Sequence, residues 1–271
     1  MKSKLQVNSA KNVSELSSIS HKKASNNFWY VVLAIIFAIG MFLLWQVIAG
    51  VVLAIYAQAT GHDIESYLKN ITDNTYGSFV FSAVAYGGML LSILVGLKLF
   101  KLTKKAIGLS GKFNLSNLGW VVVVFICYYA VLAAAMWFVS LYVPAIDLEQ
   151  KQEIGFSTTS KTPVELVVIF ASLVIFPALV EEIMMRGFLY SAIKSRLGMY
   201  MAAALVSVIF GLAHLQLGSG STPLYSAAID TTILSLFLIY LREKTGSLWA
   251  GILLHGIKNS LAFLFLFVIT T

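Results

Sequence analysis

The sequence predicts an all-α protein, a polytopic transmembrane bundle of about seven spans, or eight helices. Of its 271 residues, 59% are hydrophobic and only 11% are charged, whereas soluble domains contain roughly 25% charged residues. A helix needs about 20 apolar residues to cross a bilayer, and the chain contains several uncharged runs of that length. Composition and run length together exclude an ordinary soluble globule.

Seven stretches of the chain are interpreted as spans. The first three carry no formal charge, and the last four contain ionisable residues. In chain order they are 29–56, 78–97, 119–143, 164–197, 199–217, 223–240 and 247–268.

Three regions follow from this pattern. Residues 1–27 are rich in Lys, Ser and Asn and have neither the compact apolar core nor the cleavage site of a signal peptide. They are predicted to form a disordered cytoplasmic tail. Residues 28–160 are predicted to form N-terminal scaffold spans, and residues 161–271 the C-terminal spans that carry a functional site.

The charges beside the spans predict the orientation, because Lys and Arg near span ends are retained in the cytoplasm. The second, fourth and sixth connections are basic, whereas the first and third are mainly acidic. A multi-pass protein of the cell membrane is expected, with its N-terminus in the cytoplasm and its C-terminus outside. The net charge of +7 is spread over these connections rather than over one groove-sized face. The expected partner is therefore the lipid bilayer and not a nucleic acid.

Ionisable residues cluster in the C-terminal spans. Such residues cost at least about 2.5 kcal/mol at the centre of a membrane helix, so they persist mainly where they line a cavity or act. The first three spans have none. The last four contain Glu181, Glu182, Arg186, His214, Asp230, His255 and Lys258, together with the polar Asn259.

The two adjacent glutamates have different expected environments. Glu182 and Arg186 are four residues apart and share a helix face, which favours an ion pair. This pair is either structural or a support for the site. Glu181 points about 100° away on a regular helix, which leaves it free to face a cavity and suits it to act as a base.

Two further pairs of residues are spaced four positions apart, so the members of each pair share one helix face. His255 is followed by Asn259, and Phe210 by His214. A lone histidine in a membrane helix is often only an interhelical hydrogen-bond donor. Two histidines with an Asn and a Glu pair indicate a site instead.

A hairpin at Leu197 and Gly198 would bring two of these residues together. Glu181 and His214 are almost equally distant from this turn along the chain. They are therefore predicted to lie at nearly equal depth and to converge on one water molecule. Glu181 with His214 could polarise that water, while His255 and Asn259 donate hydrogen bonds to a developing oxyanion.

Other hydrolytic mechanisms have less support in the sequence. The GxSxG elbow and the HExxH signature are absent, and Asp230 is the only aspartate within the spans. The role of Asp230 stays open, and Lys258 is expected to be structural. Either no cofactor is required or a divalent metal such as zinc is bound, because His214, His255 and Glu181 would be a His₂Glu ligand set if they met.

Three ordered motifs carry a resemblance to a known family. They are Glu181-Glu182-Ile-Met-Met-Arg186, Phe210-Gly-Leu-Ala-His214 and His255-Gly-Ile-Lys-Asn259. Together they resemble the EExxxR, FxxxH and HxxxN motifs of the CAAX protease and bacteriocin-processing family of intramembrane peptidases, over about residues 164–263.

The resemblance implies a helical bundle whose site lies in the membrane and opens to a cytosolic or interfacial cavity. It implies that Glu181 and His214 activate water and that His255 and Asn259 stabilise the oxyanion. The supporting residues are Glu182, which could share the base role, Arg186 and Phe210. The expected substrate is a small peptide or a membrane-anchored protein, in peptide maturation, bacteriocin immunity or signalling.

Two other functions stay open at this point. The chain could be a non-catalytic membrane partner or regulator of a sensor or transporter that retains the family fold. It could also be a proton-coupled transporter using Glu181, Asp230 and Lys258, although the sequence shows no inverted repeat.

Overall fold

The protein is built from α-helices, as the sequence predicts. The computed structural model describes the backbone of residues 2–112, 115–144, 146–150, 152–159, 161–216 and 222–269, and the side chains of these ranges from residue 27 onward except 115 and 116. Within these ranges there is no strand. The helices are α1 (Lys2–Ala59), α2 (Ile64–Lys69), α3 (Thr75–Leu99), α4 (Leu115–Tyr142), α5 (Pro163–Phe170), α6 (Phe176–Glu181), α7 (Tyr190–Leu197), α8 (Met199–Leu212), α9 (Tyr225–Thr245) and α10 (Trp249–Leu264).

Among the described residues, five helical stretches are long and apolar enough to cross a membrane, which supports a multi-pass membrane protein. The predicted count of seven is not established by these five. Helices α8 and α9 fall outside the set, and α8 is the shorter of the two. The five are Asn27–Ala59, Thr75–Leu99, Asn117–Tyr142, Pro163–Leu197 and Trp249–Ile269.

The predicted fifth span, 199–217, is too long. Helix α8 ends at Leu212, after 14 residues, because the His214 amide turns back to the Gly211 carbonyl at 3.0 Å and Gln216 adopts a φ of 50°. Apolar residues continue past this end, so hydropathy does not reveal it. The tail at residues 1–27, the three-region division and the orientation of the termini stay predictions.

Helices α5, α6 and α7 form one stretch interrupted by two π-helical turns. Thr162 begins it with a capping box in which Thr162 and Glu165 each accept from the other's backbone amide. The π-helical turns are Ala171–Ile175 and Glu182–Leu189, and such turns often occur at functional sites. The second contains most of the EExxxR motif.

Close helix contacts hold the bundle together. In the N-terminal part, the Trp45 ring lies where a Cβ on Gly88 would be, and its indole N–H donates to the Ser92 hydroxyl at 2.8 Å. In the C-terminal part, Gly211 of α8 lies directly against Thr232 of α9. Small residues let membrane helices approach in this way.

Candidate active site

Three buried side chains form an ion-paired group, which we call the inner cluster: Glu182, Arg186 and His255. Glu182 Oε1 lies 2.9 Å from Arg186 Nη1 and 3.0 Å from His255 Nδ1. Arg186 is fully buried, and Glu182 is only 1% exposed. The predicted pairing of Glu182 with Arg186 is therefore present, and the contact of Glu182 with His255 joins the π-helical turn to α10.

Space for the inner cluster depends on a glycine that the sequence analysis did not single out. A Cβ on Gly251 would lie 3.3 Å from Glu182 Oε2, tighter than most side-chain contacts. Gly251 is one helical turn before His255 on α10. Its spacing could have drawn attention to it, but the chain has 19 glycines, so composition gives no specific signal.

Glu181 has a different environment from its neighbour. It ends α6, is partly exposed, and accepts a hydrogen bond on Oε1 from the Tyr86 hydroxyl at 2.9 Å. Tyr86 lies on α3, within the region predicted to be scaffold. Because the chain has 12 tyrosines, sequence reasoning had no means of selecting this one.

His214 lies just beyond the end of α8, not on its helical face as the spacing suggested. Its Nδ1 is 2.7 Å from the Phe210 carbonyl oxygen. A carbonyl can only accept, so Nδ1 carries the hydrogen and the neutral ring has its lone pair on Nε2. The Glu181 carboxylate lies close enough to His214 to act on its ring electrostatically.

The Phe210 ring lies between the two parts of the site. The Arg186 guanidinium is 4.1 Å from its centroid, within the range of a cation–π interaction. The His214 ring is 4.7 Å away and the His255 ring 6.3 Å away, centroid to centroid. Phe210 thus contacts the inner cluster on one side and His214 on the other.

Asn259 forms a hydrogen bond that its predicted role as an oxyanion donor did not suggest. Its amide nitrogen donates to the Leu173 carbonyl at 3.1 Å. Pro177 is four residues after Leu173 and has no N–H, so this carbonyl lacks the usual α-helical donor. Asn259 therefore supplies that donor and ties α10 to the π-helical turn before α6.

A second polar group lies on the same helix as His255 and Asn259. Lys258 Nζ is 2.9 Å from Asp230 Oδ2, and the Tyr128 hydroxyl donates to Asp230 Oδ1. This network joins α4, α9 and α10. The ion pair agrees with the structural role expected of Lys258, and the role of Asp230 is still open.

The predicted metal ligands do not form a metal centre in the described part of the chain. There, no three His, Cys, Asp or Glu side chains gather as metal ligands would. His255 Nδ1 faces Glu182, His214 Nδ1 faces a carbonyl, and Glu181 Oε1 faces Tyr86. Nε2 of both histidines stays available, and metal-ligating histidines commonly donate Nδ1–H to a carboxylate or a backbone carbonyl in this way. A divalent metal therefore stays an alternative.

Comparison with known proteins identifies the C-terminal region. Residues 163–261 match the family model of Rce1-like proteins, described as type II CAAX prenyl endopeptidase Rce1-like. No curated protein and no solved structure matches the chain. The matched region includes all three motifs and every residue of the inner cluster, as well as Glu181, His214 and Asn259.

The match confirms the resemblance read from the motifs and supports a protease acting in the membrane on peptide substrates. It covers α5 to most of α10 and leaves α1 to α4 unmatched. Over residues 163–261, the chain is thus similar to Rce1-like type II CAAX prenyl endopeptidases, in agreement with its three motifs.

Proposed function

We propose that this protein is an intramembrane endopeptidase that hydrolyses a peptide bond in a small peptide or membrane-associated substrate. The observation that carries the proposal is the difference between the two adjacent glutamates. Glu182 is buried in ion pairs, whereas Glu181 is partly exposed and held only by a neutral hydroxyl among its described hydrogen bonds. Glu181 is therefore the carboxylate available to reacting groups.

The proposed reaction begins with a water molecule between Glu181 and His214. One of these bases removes a proton from the water as its oxygen attacks the scissile carbonyl. The lone pair on His214 Nε2 suits this role, and the nearby carboxylate of Glu181 stabilises the imidazolium that forms. Collapse of the tetrahedral intermediate breaks the C–N bond, and the retained proton passes to the departing amine.

The proposed oxyanion donors are His255 and Asn259. His255 Nδ1 already donates to Glu182, so donation from Nε2 requires the doubly protonated ring, with Glu182 as its counter-ion. Asn259 has a second amide hydrogen besides the one given to Leu173. Such donors act on the charge that develops in the transition state. Glu182, Arg186 and Phe210 would hold them in place.

The proposal is tested by comparing peptides released by cells that express the wild-type chain with those released by cells that express Glu181→Gln. Glu149→Gln, in an exposed connection, is the matched control for loss of one carboxylate. We expect peptides that occur with the wild type and the control but not with Glu181→Gln. Each such peptide defines a cleavage site for an assay with purified enzyme.

Identical peptide sets from wild type and Glu181→Gln, at equal expression, would contradict hydrolysis. A phenotype that persists in Glu181→Gln and in His214→Ala would then favour a non-catalytic membrane partner. Activity of the purified enzyme with and without a chelator answers the separate question of a metal.

A further inference from the structure

A polar cleft lies beside the candidate site, on the side of the bundle that carries the acidic connections. Its volume is about 930 Å³, which is at the upper end of the range for ligand sites. Three segments form it: the turn before α3, the connection before α5 and the start of the connection after α8. The lining residues are Thr72, Asp73, Gln152, Glu153, Ile154, Gly155, Phe156, Ser157, Thr158 and Gln216.

Gln216 links this cleft to the candidate site. It is two residues after His214, and its side-chain amide forms hydrogen bonds with both the backbone N–H and the backbone carbonyl of Glu153. The Glu153 amide donates to Gln216 Oε1 at 3.0 Å, and Gln216 Nε2 donates to the Glu153 carbonyl at 2.6 Å. Gln216 has a φ of 50°, a conformation that is uncommon outside glycine and that concentrates at functional sites.

The short α8 brings His214 close to the cleft along the chain. Its 14 residues rise about 21 Å from the basic connection at Gly198, whereas the bilayer core is about 30 Å thick. The chain therefore reaches His214 before it has crossed the bilayer. Two residues after His214, Gln216 contacts the segment around Glu153 on the acidic side.

The chemistry of the cleft indicates the charge of its ligand. Asp73 and Glu153 are both exposed, and the ten described lining residues include no Lys or Arg. Thr72, Gln152, Ser157 and Thr158 add hydrogen-bonding groups that suit an extended peptide. The acidic bias extends through both neighbouring connections, which together contain six acids and three lysines: Asp63, Glu65, Asp73, Asp147, Glu149 and Glu153 against Lys69, Lys151 and Lys161.

We propose that this cleft binds a cationic, hydrophilic segment of the peptide substrate and thereby positions the adjoining residues of the substrate at His214. The role of the cleft as a substrate-binding site rests on the proposed function, but binding of a peptide to the cleft can be measured without catalysis. The proposal assigns the substrate class as a peptide with basic residues beside the cleaved bond. It also predicts that the substrate enters from the acidic face of the bundle.

The experiment measures binding of fluorescein-labelled hexalysine to the Glu181→Gln protein in nanodiscs of phosphatidylcholine, a neutral lipid that does not itself attract the probe. The cleft variant adds Asp73→Asn and Glu153→Gln. The matched control adds Asp147→Asn and Glu149→Gln, which remove the same charge from the same face but do not line the cleft. We expect the dissociation constant to rise at least fivefold in the cleft variant and less than twofold in the control.

Glu153→Gln preserves the two hydrogen bonds with Gln216, because they use only the backbone of residue 153. Size-exclusion profiles check that each variant is folded. If the double variant is not folded, the single variants Asp73→Lys and Glu153→Lys provide a second measurement of binding. Equal weakening in cleft and control variants, or no binding of hexalysine by the parent protein, would overturn the proposal. The binding assay uses the Glu181→Gln protein, which is expected not to cleave peptides. A negative result in this assay therefore contradicts the role of the cleft and not the proposed hydrolysis.

Discussion

The inner cluster and the pair formed by Glu181 and His214 differ in nearly every physical respect, although they meet at one peptide bond. Glu182 and Arg186 are almost completely buried and bonded to each other. Glu181 and His214 are partly exposed, and their described hydrogen bonds go to a tyrosine hydroxyl and a backbone carbonyl. The first group is buried and held by charge, and the second is accessible to reacting groups.

The contrast arises from the helices around the two glutamates rather than from the residues themselves. Glu182 faces α10, which supplies His255, whereas Glu181 faces α3, which supplies Tyr86. Phe210 contacts Arg186 of the inner cluster as well as His214. A buried, paired carboxylate makes a good orienting group and a poor base, because taking up a proton would leave Arg186 without its counter-ion.

The largest expected effect is on the rate of cleavage. Glu181→Gln removes the carboxylate that acts with His214 on the water but keeps the shape and the hydrogen bond from Tyr86, so cleavage should fall by about 10²- to 10⁴-fold with an unchanged melting temperature. The measurement is initial rate on a peptide identified from cells, together with thermal unfolding in detergent. If Glu182→Gln left the protein equally stable and equally inactive, the division between the two glutamates would be wrong.

A large loss of stability is expected in the inner cluster. Arg186→Met leaves the Glu182 carboxylate buried with only His255 for charge, and breaking a buried pair in this way costs about 3–5 kcal/mol. The double variant Glu182→Gln with Arg186→Met removes both charges and should recover much of that loss. Urea or thermal unfolding in detergent measures it. A single variant as stable as wild type would show that the ion pair does not stabilise the inner cluster.

A smaller effect is expected where α8 meets α9. A Cβ on Gly211 would lie 1.9 Å from Thr232 Oγ1 and 2.7 Å from the Ala228 carbonyl. Gly211→Ala must therefore push the helices apart, at a cost of about 1–3 kcal/mol, and it should also lower activity because His214 is three residues away.

Gly256→Ala is the matched control for this prediction. There the nearest atom is Ala178 Cβ at 3.8 Å, an ordinary contact, so stability and activity should barely change. Similar losses in both variants would mean that any added methyl group near the site is harmful. The close contact of α8 with α9 would then have no special role in placing His214.

The sequence predicted the all-α class and the three motifs because hydropathy and four-residue spacing act locally. The Glu182–Arg186 contact lies within one stretch of helix, so spacing was enough to predict it. The end of α8 at Leu212 was missed because Ala213, Leu215 and Leu217 continue the apolar pattern past it. Turns made by backbone hydrogen bonds and by the φ of Gln216 leave no trace in hydropathy.

Contacts between distant helices were beyond the same reasoning. Tyr86 is 95 residues from Glu181, and Asn259 is 86 residues from Leu173. Of these, only the second had a usable signal, because Pro177 predicts that the Leu173 carbonyl needs another donor. Which side chain supplies that donor depends on how α10 packs, and that is a property of the whole bundle.

The smallest expected effect tests the link between α3 and the Glu181–His214 pair. Tyr86→Phe removes the hydroxyl that donates to Glu181 Oε1 while keeping the ring, so stability should fall by only about 1 kcal/mol. Activity should fall more, by about 5- to 10-fold, because a carboxylate without this contact samples orientations away from His214. Tyr76→Phe, on the same helix but exposed, is the control and should change neither quantity. If both variants kept full activity, the orientation of Glu181 would depend on the backbone of α6 alone, and the N-terminal helices would have no part in the chemistry.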